Sequence, residues 1–232
     1  VVPAAGLGRR FGRGGGKLFF SLLGRPVLVW TLEALQKVSA IAEIVVVVRK
    51  GDLAATAALL PEHGITKVRA VVAGGRERQD SVYKGMQQVP DRDAVVLVHD
   101  GARPLVTGEV VMRCLGALGD SDGAVAAVPV KDTVKEVTAC AGKRGTSLFV
   151  RKTVERSCLW AVQTPQVFRS STLRAAHEKA RHEGFYATDD AGLVEHYGGR
   201  VSVVPGSYGN IKITTSEDVI IAEALCRAGG GL

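Results

Sequence analysis

The residue types best suited to chemistry stand at the very start of the chain. A short apolar stretch, residues 1–3, runs through Ala4 and Ala5 into a loop rich in glycine from Gly6 and Gly8 to Gly16, studded with Arg9, Arg10, Arg13 and Lys17. Glycines let a backbone turn sharply and bring its N–H groups close to an anion, and the cations add formal charge. No carboxylate precedes Glu33, so five cations, counting Arg25, stand without an acid. A solvated loop normally mixes both signs, which favours a polyphosphate cradle over a basic disordered arm, and the hydrophobic sequence on either side supports the same choice. A dinucleotide fingerprint needs a third glycine where Phe11 stands, and a P-loop needs glycine at Phe11 and a hydroxyl at Leu18, so both commoner phosphate motifs are excluded. The run Gly14–Gly16 predicts a loop that stays mobile until an anion orders it.

Two further constellations lie downstream. His99, Asp100, Gly101, Ala102, Arg103 and Pro104 follow a hydrophobic run, which sets Asp100 at the carboxyl end of a strand. An acid there either helps hold Mg²⁺ with the help of phosphate oxygens or caps the following turn and pairs with Arg103. The segment from Gly74 to Val82, with Gly75, Arg76, Arg78 and Ser81, is a second glycine and cation loop entering a helix. It either reads the edge of a base through backbone amides and Ser81 or is an ordinary capped helix start. Arg156, the run Gln163–Gln166, the pair Thr188 and Asp189, and the stretch 209–214 also stand out. His177 and His182 are five apart, off the spacing of a helical metal pair, and are expected on the surface, whereas Met86 and Met112 are expected in the core.

An α/β series must position these groups. Pro26 suits a first helical turn, and Val29, Leu32, Ala34, Leu35 and Val38 follow with helical spacing. Residues 44–48 are uniformly β-branched, the mark of a parallel strand covered on both faces. Helices are predicted over 52–60, 80–88 and 107–118, and strands over 68–72, 94–99 and 124–128. Such a series builds an open parallel sheet with helices on both sides and a ligand crevice beyond the strand ends, where the loops beginning at Ala5, Ala73 and His99 should meet. Residues 131–154 read as a protruding β-hairpin arm with strands at 133–138 and 147–150. Because an isolated two-stranded ribbon is marginal, the arm should pack on its own domain or on a second subunit. Helices over 171–183 and 190–196, strands over 201–204 and 211–214, and a last helix from Ser216 complete the series. A single domain over 1–232 is expected, with a frayed end at Gly229–Gly231.

Composition narrows the ligand class. The 232 residues are 46% hydrophobic, enough for a substantial core, and 30 Lys and Arg against 23 Asp and Glu give a net charge of +7. That balance suits acidic partners, but an aromatic content of 5% and the lack of a basic stripe interleaved with aromatics argue against nucleic acid, leaving phosphorylated small molecules. Cys114, Cys140, Cys158 and Cys226 form no C-x-x-C pair, so no zinc site or disulfide framework is indicated and a cytoplasmic location is expected. No apolar run approaches a membrane span, no signal peptide is visible, and a chain that opens within a strand is expected to have residues before Val1.

Taken in order, Pro3-Ala-Ala-Gly-Leu-Gly-Arg-Arg10, Gly75-Arg-Glu-Arg78 with Asp80-Ser-Val82, His99-Asp-Gly-Ala-Arg-Pro104, Pro129-Val-Lys-Asp-Thr133, Trp160 with Gln163-Thr-Pro-Gln166, Thr188-Asp-Asp-Ala191 and Asn210-Ile-Lys-Ile-Thr214 resemble the 2-C-methyl-D-erythritol 4-phosphate cytidylyltransferase family. The resemblance spans nearly the whole chain. It implies a Rossmann-like nucleotidyltransferase fold of the GT-A-like kind. The implied reaction takes CTP and methylerythritol 4-phosphate, with Mg²⁺, to the CDP-alcohol and pyrophosphate, in a homodimer joined through the arms. By the same resemblance Arg10, Lys17 and Lys212 are catalytic. Ala4, Ala5, Gly6, Gly8, Arg9, Gly75, Ser81, Asp100 and Ala102 bind CTP, and Asp100 also binds the metal. Arg103, Thr133, Arg156, Thr164 and Thr188 bind the acceptor, with Thr133 and Arg156 reaching over from the partner subunit.

The chain departs from the family pattern in three places: Gly16 stands before Lys17 where proline is usual, Gly209 stands before Asn210 where an acid is frequent, and Arg76 replaces an acid of some relatives. Two alternatives compete with the main reading. One is a cytidylyltransferase for another polyol phosphate such as ribitol 5-phosphate, against which Asp132-Thr-Val-Lys135 and Leu159-Trp160 speak. The other is a non-catalytic nucleotide or nucleic-acid binder using the basic loop.

Overall fold

The computed structural model of the chain describes residues 1–6, 20–90, 94–142 and 145–228. β1 (Val2–Pro3) pairs in parallel with β4 (Ile44–Val48), and β4 with β5 (Val68–Ala73). All five residues of β4 are buried, as a strand covered on both faces requires. β2 (Ser21–Leu22) and β3 (Arg25–Pro26) form a tight ribbon ahead of α1 (Val27–Gln36), and the Trp30 indole N–H donates to Leu22 O at 2.8 Å. Pro26 is the residue capping α1, one position before the first turn.

The sheet continues without a break. Val1 N donates to Leu97 O at 2.7 Å, His99 N to Val1 O at 3.0 Å and Gly101 N to Pro3 O at 3.2 Å, which lays β6 (Val95–Val98) parallel beside β1. β10 (Trp160–Arg169) then pairs antiparallel with both β6 and β7 (Gly123–Pro129), and β11 (Val201–Pro205) closes the edge parallel to β7. The order across the sheet is therefore β5-β4-β1-β6-β10-β7-β11, mainly parallel, with β10 reversed.

Helices cover both faces. On one side Leu28, Leu32 and Leu35 of α1 pack on Val2, Val46 and Val48, with α2 (Leu53–Glu62) contributing Leu53 and Leu60 at the margin. α4 (Gly108–Gly116) covers the rest of that side through Val110 and Cys114 against Ala126, Val167 and Val204. On the other side α3 (Arg78–Met86), α5 (Ser170–Glu183) and α6 (Asp190–His196) bring Val82, Met86, Leu173 and Leu193 onto Val96, Val98, Val125 and Phe168. α7 (Ser216–Ala228) lays Val219 and Ala222 on Leu22, Val27 and Ile213. Among the described residues no helix is long and apolar enough to cross a membrane.

The arm stands apart as β8 (Lys135–Gly142) and β9 (Gly145–Thr153), longer than the strands expected at 133–138 and 147–150. Val137, Leu148, Phe149 and Val150 are half to two-thirds exposed, so neither face of this ribbon is covered by its own domain.

Four sequence expectations are corrected here. The run Gln163–Gln166, for which the sequence suggests a turn or solvated residues, lies inside β10, a strand of ten with a shift of register between Val162 and Gln166. Residues 211–214 alternate like a strand but join no ladder; the segment is held by Ile213 N donating to Ala102 O at 2.8 Å and by Asp218 Oδ2 accepting from Thr214 N and Oγ1 and from Thr215 N. Met112 is exposed because α4 turns Val110, Val111 and Cys114 inward instead. His177 is fully buried, facing Tyr83 and Asp190 between α3 and α6, whereas His182 lies on the surface as expected.

Candidate active site

β1, β5 and β6 end at one edge of the sheet, and the loops beyond them meet there. A Cβ added to Gly74 would lie 2.4 Å from the Cβ of Ala5, and one added to Gly101 would lie 3.1 Å from that of Ala4. Glycine at these two positions is what permits the approach. Ala4 continues the ladder by donating from its N–H to Val47 O at 2.7 Å, and Gly74 N donates to Val48 O at 2.7 Å. Ala4 is buried, Ala5 half-buried and Gly6 exposed at the point where the arginine loop begins. Gly8, Arg9, Arg10 and Lys17, together with the mobile-loop expectation for Gly14–Gly16, lie outside the described residues.

α3 opens directly after the second loop. Glu77 and Asp80 cap it reciprocally, Gly75 N donates to Ser81 Oγ at 3.1 Å, and Ser81 Oγ donates to Glu77 O at 3.1 Å. Gly75 and Ser81 thus stand side by side at a helix N-terminus, where backbone dipoles favour a polar or anionic group.

Asp100 sits at the end of β6, buried, with three cations on its carboxylate. Arg78 Nε donates to Oδ1 at 3.1 Å, Lys212 Nζ lies 2.6 Å from Oδ2, and Arg103 Nε lies 3.9 Å from Oδ2. Burial works to raise the Asp100 pKa, but the charges of Arg78, Lys212 and Arg103 outweigh it and hold the carboxyl well below the usual carboxylate range. Of the two roles weighed for Asp100, the pairing with Arg103 is present, and Arg103 N also donates to Asp100 O at 3.0 Å, closing the turn.

The polar residues of β10 complete the cluster. Its register shift places Gln163 and Thr164 toward the site, and a chain of hydrogen bonds passes through them. Asp100 N donates to Thr164 Oγ1 at 3.0 Å, and Thr164 Oγ1 lies 3.1 Å from His99 Nδ1. His99 Nε2 lies 3.1 Å from Arg103 O, a carbonyl that can only accept. Nε2 therefore carries a proton, and with the imidazole kept neutral by burial Nδ1 accepts from Thr164 Oγ1. Burial pushes the His99 pKa down to about 4, against the opposing pull of the Arg103 carbonyl and Asp100. Asn210 Nδ2 donates to Thr164 O at 2.8 Å and Arg103 Nη1 to Asn210 O at 2.7 Å, tying the 209–214 segment, and with it Lys212, to the same centre.

The remaining expected site residues divide. Ala102 and Arg103 belong to the Asp100 turn and are buried. Thr188 is exposed, two residues before the buried Asp190. Thr133 and Arg156 stand exposed at the root of the arm, where Arg156 Nη1 donates to Lys131 O; among the described residues neither bonds to the Asp100 cluster. The sequence reading assigned Arg78 and Asp190 no role. Yet Arg78 Nη1 donates to Asp190 Oδ2 at 2.6 Å while its Nε holds Asp100. Both lie within motifs already singled out, but a separation of 112 residues hides their pairing.

The arrangement can therefore receive a polyanion: backbone amides and a helix N-terminus on one side, and a carboxylate ringed by cations on the other. The model of the 2-C-methyl-D-erythritol 4-phosphate cytidylyltransferase family matches residues 1–228. The enzyme of that name from Bacillus velezensis is 45% identical over 232 residues, covering 100% of this chain and 96% of its own. That from Syntrophus aciditrophicus is 44% identical, with the same coverage. Among solved structures, 4-diphosphocytidyl-2C-methyl-D-erythritol synthase from Anaerococcus prevotii superposes with a TM-score of 0.83 at 32% identity, covering 97% of this chain and 94% of its own. The cytidylyltransferase from Thermus thermophilus superposes with a TM-score of 0.75 at 34% identity, covering 97% of each chain. This chain belongs to the 2-C-methyl-D-erythritol 4-phosphate cytidylyltransferase family, an enzyme family of nucleotidyltransferases.

Proposed function

We propose that the chain transfers the cytidylyl group of CTP to 2-C-methyl-D-erythritol 4-phosphate, releasing pyrophosphate and giving 4-diphosphocytidyl-2-C-methyl-D-erythritol. The observation that carries this reading is the cation-ringed Asp100 at the junction of three loops, in a chain matched from end to end by one cytidylyltransferase family. The family match favours methylerythritol phosphate over ribitol 5-phosphate as acceptor.

The attacking group is a phosphate oxygen that is already an anion, so no nucleophilic side chain or general base needs activation. The reaction is an in-line displacement at the α-phosphorus of CTP, and catalysis reduces to alignment and charge neutralisation. Ala4, Ala5, Gly6, Gly75 and Ser81 hold the cytidine, mainly through backbone, with Gly8, Arg9 and Ala102 completing the nucleotide site. Arg10 and Lys17 bind the triphosphate and stabilise charge on the leaving pyrophosphate. Lys212 trades its contact with Asp100 for a phosphate oxygen at the reacting centre. Arg103, Thr164 and Thr188 orient the acceptor phosphate, and Thr133 and Arg156 reach it from the partner's arm in a homodimer. Each phosphate-contacting cation contributes about 3 kcal/mol to the transition state, by analogy with single oxyanion donors.

The residues present fit Mg²⁺ in one specific way. Among the described residues no group of three or more His, Cys, Asp or Glu could hold a metal, and Asp100 is a single carboxylate kept anionic. Mg²⁺ is commonly held by one or two carboxylates with substrate phosphates supplying further oxygens, so Asp100 would hold it only together with CTP. When bound, the ion would neutralise charge on the phosphate oxygens. The location proposed is the cytoplasm, with no nucleic-acid or membrane partner. Pyrophosphate release measured across CTP, UTP and ATP, each with methylerythritol 4-phosphate and ribitol 5-phosphate, tests the reading. CTP with methylerythritol 4-phosphate should give the highest kcat/KM, and a higher value for another pair would overturn it.

A further inference from the structure

Asp190 is a buried carboxylate that the nucleotidyl transfer outlined above does not use. It is 1% exposed in the first turn of α6, and its Oδ2 accepts from Arg78 Nη1 at 2.6 Å. Arg78 spans two carboxylates, since its Nε donates to Asp100 Oδ1 at 3.1 Å. Behind Asp190 lies His177, wholly buried, with Nε2 3.6 Å from Asp190 Oδ1 and neither ring nitrogen hydrogen-bonded among the described residues.

Of the two carboxylates, Asp190 is the one set in a fixed frame. The chain on either side of it is bolted to neighbouring elements. Gln79 of α3 donates from Nε2 to Phe185 O at 2.9 Å and accepts from Ala187 N at 2.9 Å. Gln166 of β10 accepts from Ala191 N at 3.0 Å and donates to Asp189 Oδ2 at 2.7 Å. Asp189 in turn accepts from Gly192 N at 2.8 Å, capping α6. Both glutamines are buried, so these bonds are shielded from water. Asp100, by contrast, faces Lys212, which is 37% exposed and has to release it when phosphates arrive.

A carboxylate in a first helical turn gains a dipole benefit of only about 0.3–2 kcal/mol, much of it available at the surface. Burial of Asp190 against Arg78 carries a desolvation cost that geometry must offset, and what it secures is the orientation of a planar, forked cation. Once Lys212 moves to the substrate, Arg78 is the remaining cation that hydrogen-bonds the Asp100 carboxylate, since Arg103 Nε lies 3.9 Å from it.

We infer that Asp190 is a positioning residue for nucleotidyl transfer, acting through Arg78 on the carboxylate of Asp100, with His177 packed behind it as a backstop. The inference rests on the proposed cytidylyl transfer, and the test separates the two, because wild-type turnover is measured in the same assay. Pyrophosphate release is followed for wild type, Asp190→Asn, Asp190→Glu, Arg78→Lys and the Asp190→Asn/Arg78→Lys double variant, with CTP, acceptor and Mg²⁺ each titrated, and circular dichroism and melting curves are recorded for each.

Asp190→Asn should lower kcat about tenfold to a hundredfold, the cost of misplacing a reacting group, and raise half-saturating Mg²⁺ severalfold while leaving KM for the acceptor unchanged. Asp190→Glu, which keeps the charge but displaces it, should fall between wild type and Asp190→Asn. The double variant should be no worse than the poorer single variant, because both changes break one linkage. Wild-type kcat and Mg²⁺ dependence in Asp190→Asn would overturn the inference, as would multiplicative losses in the double variant. Should Asp190→Asn not fold, Asp190→Glu decides: wild-type kcat and Mg²⁺ dependence in that variant refute the inference and the partial loss supports it. If wild type itself releases no pyrophosphate, the functional reading fails first and the inference falls with it.

Discussion

Replacing Asp100 by Asn removes one negative charge and almost no volume from a site that holds three cations. Arg78, Lys212 and Arg103 approach its carboxylate at 3.1, 2.6 and 3.9 Å. Asp190 still accompanies Arg78 in the variant, but Arg103 and Lys212 lose their carboxylate and repel one another. Removing one partner of a buried ion pair costs about 3–5 kcal/mol, and the low end applies here because the Lys212 side chain is 37% exposed and can turn to water. For a chain of this length about 3 kcal/mol corresponds to a melting temperature lower by roughly 6–12 °C. The sign then reverses with nucleotide. CTP in the presence of EDTA brings negative charge to the same cations, so it should raise the melting temperature of Asp100→Asn by more than that of wild type, although turnover is lost. Differential scanning fluorimetry with and without CTP reads both effects. Equal melting temperatures without ligand, or an equal CTP shift in the two proteins, would refute the electrostatic account of Asp100.

Three further predictions follow from the same geometry. Lys212→Ala should lower kcat about a hundredfold, the equivalent of about 3 kcal/mol, with a smaller change in KM for CTP, as steady-state kinetics would show. His99 must be neutral to accept from Thr164, and its folded pKa of about 4 lies below the ordinary 6.5, so the unfolded chain binds the proton first. The stability this gives is complete above about pH 6.5 and is lost as pH falls toward about 4, a contribution of up to about 3 kcal/mol. His99→Gln should flatten the melting temperature between those limits, whereas the carboxylates of Asp100 and Asp190, both held low, should still drive unfolding at more acid pH. In the arm, Phe149→Asp should leave the circular dichroism spectrum unchanged but shift the sedimentation coefficient to that of a monomer, lower the melting temperature and raise KM for the acceptor, if the arms join two subunits and deliver Thr133 and Arg156.

The parallel framework was legible because its signal is local. The Val-rich run of β4 needs both faces covered, the helices between strands carry apolar residues at helical spacing, and glycine with cations marks the strand ends. β10 was not legible, for the same reason that it is tied to the Asp100 cluster. Gln163, Thr164 and Gln166 interrupt its apolar pattern, and all three are buried because each bonds to a distant element: Ser207 and Asn210, Asp100 and His99, Asp189 and Ala191. The 209–214 segment misleads in the opposite way, since its alternation reflects Ile213 pointing into the α7 cluster and Lys212 pointing to Asp100 rather than strand pairing. Asp100 could be placed at a strand end from sequence, but its ring of cations comes from α3, from its own turn and from the far end of the chain. The Arg78–Asp190 pair and the burial of His177 likewise depend on α3, α5 and α6 packing together, which no spacing rule reports.

The central claim is tested most directly by identifying the product. With CTP, Mg²⁺ and methylerythritol 4-phosphate, phosphorus NMR should show the triphosphate signals replaced by one equivalent of pyrophosphate and one of a diphosphate diester, and mass spectrometry should give the mass of 4-diphosphocytidyl-2-C-methyl-D-erythritol. Persistence of CTP and acceptor unchanged, or release of inorganic phosphate without a diester, would contradict it.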